Sequence, residues 1–139
     1  MGVAARYYTL DEANEALTEL RPIAFEMIEH HRRLLEAQVR RSDLAGRAGS
    51  NGGDLTPTDF AEVEAELERQ AGALARCVER IQAAGVLVKD LERGLLDFPS
   101  LRDGEEILLC WHAGEDEIAY YHGVDEGYAG RKPLLDPDE

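Results

Sequence analysis

Apolar residues recur along the N-terminal part of the chain by threes and fours: Leu10, Ala13, Leu17, Leu20, Ala24, Met27 and Leu34, with His31 and Gln38 on the same seam. Ile23, Ile28, Leu35 and Val39 widen that stripe on its flanks. The period predicts a core-facing amphipathic helix of about 30 residues, some 45–50 Å long. Thr9 with Glu12 three positions on is a capping box, and Asp11 adds negative charge to the first turn, where the helix dipole favours it. Pro22 removes one ladder bond, which predicts a kink or a split into a short and a long piece. "AGRAGSNGGDL" then reads as a mobile connector. Its glycines follow no strand and lack the lysine and hydroxyl of a phosphate loop. A second helix starts at "TPTD", with Thr56 as N-cap, Pro57 at the first helical position and Asp59 in the first turn. Its seam runs Phe60, Val63, Leu67, Gln70, Leu74, Cys77, Ile81 and Ala84, and Gly85 is placed to end it. Two such stripes joined by a polar loop predict an antiparallel helical hairpin.

After Gly85 the period changes to two. "VLVKDL" and "LLDF" flank a short turn containing Gly94, and "EEILLCWH" and "EIAYYH" flank "AGED". These segments predict an antiparallel β-meander of about four strands. The fold class is therefore α+β: a long antiparallel helical hairpin (9–84) followed by a small meander (86–122), with an irregular C-terminal tail (123–139), all in one domain.

The register of the last hairpin decides which chemistry "CWHAGEDEIAYYH" can do. Alternation puts Ile107, Leu109 and Trp111 on one face of their strand and Leu108, Cys110 and His112 on the other. A two-residue Gly114–Glu115 turn, or the four-residue Ala113–Asp116 loop, pairs Trp111 with Ile118 and places His122 on the opposite face of the sheet from Cys110. A three-residue loop reverses this and gathers Cys110, His112, Tyr120 and His122 on one side. Glycine at the first central position favours the two-residue type II′ turn, which also gives the cleaner apolar face. That register leaves Cys110 as a small buried hydrophobe and His112 as an exposed strand residue.

Composition narrows the partners. The chain carries 29 acids against 15 bases, a net charge of −14. Such a surface repels phosphate backbones and anionic headgroups, so neither nucleic acid nor membrane is an expected partner. No run of about 18 apolar residues is present, so no membrane span is expected. The N-terminal residues do not read as a signal peptide. Two cysteines, Cys77 and Cys110, do not make a disulfide framework, and the expected compartment is the cytoplasm.

With "VKDLERGLLDFP", "LCWHAGEDEIAYYH" and "GYAGRKPL" in view, the chain resembles a bacterial and archaeal family of unknown function, the one numbered twenty-two-oh-three. The resemblance rests on Gly94, Leu95, Asp97, Phe98, Pro99, Cys110, Trp111, Gly114, Glu115, Tyr121, His122, Gly130 and Arg131, and covers nearly the whole chain. The chain departs from the pattern in having His112 where a basic side chain is expected and Tyr121 where Trp is common. It implies no activity that can be carried over.

Four residues stand out as ligand-binding candidates: Asp97, Glu115, His122 and Arg131. Asp97 is the natural carboxylate partner for His122, and such a pair serves equally as packed structure or as a general base. Arg131 can clamp Glu115, Asp97 or a small anionic ligand through its planar fork. No metal site is expected; Cys110 and His122 are the only candidate ligands, since the spacings match no zinc pattern. Glu26 with His30, and Glu62 with Glu66, read as solvated helix faces, and His31 as a core or interface histidine. No cofactor is predicted. The leading expectation is a non-enzymatic module that binds a partner or a small ligand and dimerises through the hairpin. The competing one is an acid/base enzyme, or one dependent on a divalent metal, built around His122, Asp97, Glu115 and Arg131.

Overall fold

A computed structural model of the chain describes residues 6–50 and 55–134. The expected hairpin is present as helices α1 (Leu10–Ser50) and α2 (Pro57–Ala83). Both N-terminal caps form as the residues dictate. Thr9 N–H donates to Glu12 Oε1 at 2.9 Å and Glu12 N–H to Thr9 Oγ1 at 3.1 Å. Thr56 and Asp59 make the same reciprocal pair at the start of α2, with Pro57 just inside. Gly85, at φ +81, takes the left-handed conformation that lets the chain turn out of α2.

At 41 residues, α1 is longer than expected. It continues through most of the glycine-rich segment, leaving only a short connector, of which 51–54 lie outside the described residues. Pro22 neither splits nor ends it. The ring lies on the exposed side of the helix, as does Thr18, whose carbonyl loses its ladder donor to the proline. The inward seam also differs in its second half. Ala13, Leu17, Leu20, Ile23, Ala24, Met27 and Ala37 are buried, whereas Gln38 is exposed and His31 only half-buried. Steps of seven drift by about 20° on a straight helix, so the core side passes from Ala24 towards Ala37. His30, and not His31, reaches the partner helix, its Nδ1 2.7 Å from Gln70 Oε1. On α2 the buried positions are Val63, Gln70, Leu74, Cys77 and Ile81.

The sheet has five antiparallel strands in chain order: β1 (Leu87–Asp90), β2 (Leu95–Arg102), β3 (Glu105–Trp111), β4 (Tyr120–Gly123) and β5 (Lys132–Pro133). Strand β2 runs past "LLDF" to Arg102 because Asp103 (φ 53) and Gly104 (φ 83) form a two-residue turn with both φ positive, the type I′ geometry that matches strand twist. Pro99 is tolerated inside β2 because its missing N–H faces the edge β1 has already left. There the Tyr8 N–H donates to the Pro99 carbonyl at 2.7 Å. The tail expected to be irregular supplies a 3₁₀ turn (Tyr128–Gly130) and β5; residues 135–139 lie outside the described ones. One sheet face, with Leu96, Phe98, Ile107, Leu109 and Trp111, closes the core against both helices. Among the described residues no helix is long and apolar enough to cross a membrane.

Candidate functional site

Strands β2, β3 and β4 lie side by side, with Asp97 opposite Cys110 and Leu108 opposite His122. Opposed residues share a face, so Asp97, Cys110 and His122 all project from the side of the sheet turned away from the helices. This overturns the favoured register. Residues 112–119 form a wide loop, not a tight hairpin, and the pairing beyond it, Cys110 with Tyr120, is shifted by one residue. Gly114 (φ 107) stands third in a turn closed by the Glu115 N–H on the His112 carbonyl. Ile118 leaves the strand altogether. It is 2% exposed in the core, and its N–H donates to Asn14 Oδ1 of α1 at 2.8 Å. Trp111 Nε1 donates to the Glu115 carbonyl at 2.9 Å, which secures the other side of the loop.

His122 and Asp97 are two strands apart, about 10 Å between strand axes, so the imidazole reaches across β3. Its Nε2 lies 3.1 and 3.0 Å from the two Asp97 oxygens. Asp97 is 1% exposed, His122 3% and Cys110 0%. The other ring nitrogen, Nδ1, is 2.9 Å from the Gly123 carbonyl. A carbonyl only accepts, so Nδ1 carries a hydrogen, and Nε2 and Asp97 share one proton between them. Burial raises the Asp97 carboxyl above its ordinary value, while the charge and hydrogen bond of His122 act in the opposite direction. The Cys110 thiol is pushed up to about 12 by burial and then by the Asp97 charge beside it. Nε2, Sγ and a carboxylate oxygen lie within 4.8 Å of one another.

The other two candidates form a second pair against the first. Arg131 Nη2 donates to both Glu115 oxygens at 2.8 Å and to the Cys110 carbonyl at 3.2 Å. Its guanidinium sits 4.2 Å from the Tyr120 ring centre and 4.7 Å from that of Tyr128. Glu115 also accepts the His112 N–H at 2.9 Å. Burial is the largest influence on Arg131 and opposes its charge, but the hydrogen bond it donates to Glu115 and the charges around it together outweigh burial, and the arginine pKa stands above its usual value. Glu115 thus takes the Nη2 end of the guanidinium that the sequence offered to a small anion.

All four residues singled out in the sequence therefore meet, as Asp97–His122 and Glu115–Arg131, with Cys110 joining them. Cys110 is the member that sequence reasoning set aside. The signal that places it was present: the Asp103–Gly104 dipeptide pairs Arg102 with Glu105, and counting back from that turn puts Asp97 opposite Cys110. His112, expected on an exposed strand, lies beyond the end of β3 and is half-buried. Glu26 and Glu62 are exposed, as read, whereas His30 and Glu66, read as solvated too, are half-buried and both meet Gln70. A cavity of about 440 Å³ opens between the β1–β2 turn, the Gly114 loop and the tail, lined by Ile28, Glu92, Arg93, His112, Ala113 and Tyr128. Neither Asp97 nor His122 lines it.

The fold and site define an α+β protein in which a helical hairpin covers one face of a meander and a buried Asp–Cys–His cluster occupies the other. Residues 6–134 match the model of DUF2203, described as an uncharacterized conserved protein, and the chain belongs to that family. No curated protein and no solved structure matches it.

Proposed function

We propose that the chain is a non-enzymatic, homodimeric cytoplasmic module that holds a small ligand at Asp97, Cys110 and His122. The observation that carries this reading is the burial of three polar side chains, each 0–3% exposed, from three adjacent strands. A buried ion pair stabilises no better than apolar residues of the same volume, so such a cluster adds little to the fold for its own sake. The enclosure argues against acid/base turnover. His122 Nε2 is aimed at Asp97, Nδ1 at a carbonyl, and neither faces the cavity beside the Gly114 loop.

Dimerisation is supported by the hairpin's dimensions. At 1.5 Å per residue α1 is about 60 Å long, whereas the longest strand spans about 27 Å. The sheet leaves much of it uncovered, and Phe25 (49% exposed), Leu35 (46%) and Val39 (60%) fall on one side of that helix. The net charge of −14 and the two buried, unpaired thiols suit a reducing compartment without nucleic-acid partners.

Native mass spectrometry of untagged protein at micromolar concentration tests both parts. The expected species is twice the 15.4 kDa chain, with a bound mass on each chain that Asp97→Asn/His122→Gln lacks. A monomer overturns the dimer. A bare polypeptide mass overturns the ligand.

A further inference from the structure

We infer that the ligand of this cluster is a borderline-soft divalent transition ion, Zn²⁺ in type, bound by the Asp97 carboxylate, Cys110 Sγ and His122 Nε2. The inference rests on the reading of the cluster as a ligand site and adds the chemical identity of what it holds.

Four features carry it. The first is the histidine tautomer. Nδ1–H is hydrogen-bonded to the Gly123 carbonyl at 2.9 Å, so Nε2 is the nitrogen left to offer a lone pair. A ligating histidine is held this way, its second N–H on a carbonyl or carboxylate that fixes the ring and raises its basicity. Convergence is the second. The three donor atoms come from three strands and lie within 4.8 Å of one another. Around a tetrahedral ion with bonds of about 2.0–2.3 Å, donors stand about 3.3–3.8 Å apart. Nε2 and the Asp97 oxygens, at 3.0 and 3.1 Å, need to open by only a few tenths of an ångström. The proton now shared between them stands where the ion would sit.

The third feature is the donor set: one nitrogen, one sulfur and one oxygen. Magnesium and calcium take oxygen donors, and a thiolate in the set selects against them. The fourth is support around the donors. Arg131 donates to the Cys110 carbonyl and is itself held by Glu115, so the backbone that carries the sulfur is fixed from the side of the tail. Three protein donors also leave one position for water or an incoming ligand. A hydrogen-bonded trio with no ion is the competing account: there the Cys110 thiol donates to Asp97, which His122 also meets, and the sulfur is a weak donor instead of a ligand.

The test uses untagged full-length protein, analysed for metal as purified and again after refolding with Zn²⁺ or Co²⁺, since the enclosed site limits direct loading. One ion per chain is expected, and the Co²⁺ form shows a near-ultraviolet sulfur-to-cobalt charge-transfer band. Cys110→Ser abolishes that band, whereas Cys77→Ser, on the α2 seam, keeps it. His122→Gln and Asp97→Asn weaken Zn²⁺ binding by more than about 100-fold, beyond what loss of an outer partner costs. X-ray absorption fine structure of the Zn²⁺-loaded wild type needs no variant to fold and should show one sulfur near about 2.3 Å with nitrogen and oxygen near about 2.0–2.1 Å. A sub-stoichiometric metal content after loading, a band that survives Cys110→Ser, or a sulfur-free shell overturns the inference. The two readings fail differently. An organic mass bound at the cluster, with no metal, removes the ion and leaves the ligand module standing; a chain that holds neither removes both.

Discussion

His122→Leu lowers the unfolding free energy of chelator-treated protein by about 3–5 kcal/mol, the range seen when one partner of a buried ion pair is deleted. Asp97 is the reason. It is 1% exposed, its carboxyl is already raised by burial, and His122 is the partner that both its oxygens meet. Replacing both partners by apolar residues, as in Asp97→Val/His122→Leu, recovers most of that loss, because no charge is then left unpaired in the interior. The loss in the single variant depends on pH. A carboxyl whose folded pKa lies above its unfolded value of about 3.9 favours folding while protonated and opposes it once ionised. Destabilisation by His122→Leu is therefore smallest in acid and grows as pH rises through the raised carboxyl's range. Urea titrations at several pH values measure all of this. A single variant as stable as the wild type at neutral pH would show that the pair is not desolvated. The double variant has a further use: it keeps the fold and removes two of the three donors, so any ligand lost with it is lost through the site and not through unfolding.

The parts of this fold that could be read from sequence are those held by neighbours in sequence. The Thr9–Glu12 and Thr56–Asp59 boxes, the stop at Gly85 and the two helical seams depend on contacts within three or four residues. Asp97 was also legible as the partner of His122, but from a strand face that the structure overturns: His122 projects with Cys110 from the side away from the helices, and Asp97 meets it there. What could not be read is the loop between β3 and β4. Its width is set by Ile118 in the core and by Asn14 on α1, a hydrogen bond across 104 positions of sequence. Turn chemistry at Gly114 carries no trace of that contact. A one-residue shift in register then moved Cys110 from the opposite face to the side of His122. Arg131 was legible as a clamp, but its choice of Glu115 over Asp97 depends on where Tyr120 and Tyr128 hold the guanidinium.

Gly94→Val costs about 2–5 kcal/mol, combining a left-handed backbone without glycine with overpacking of a filled space. Gly94 has φ +66 and closes the turn from β1 into β2. A Cβ there stands 2.7 Å from Ile28 Cδ1 and 3.2 Å from Ala113 Cβ. The turn is also tied to the loop after β3, since the Ala113 N–H donates to the Arg93 carbonyl at 3.2 Å. Ile28 can withdraw, because its Cδ1 is the end of a flexible side chain; Ala113 and the backbone dihedral cannot. Adding Ile28→Ala to Gly94→Val should therefore remove the clash with Ile28 and leave the tight contact with Ala113 together with about 1–2 kcal/mol of backbone strain. Chemical denaturation of the two single variants and the double one separates these contributions. Full recovery in the double variant would remove the strain from the account, and a wild-type midpoint for Gly94→Val would remove the close approach as well. The substitution also reaches the site. Asp97 lies three residues beyond Gly94, in the strand that this turn leads into, so a β2 displaced from α1 carries its carboxylate away from Cys110 and His122. Ligand binding at the cluster is then expected to fall in Gly94→Val under conditions where the chain remains folded.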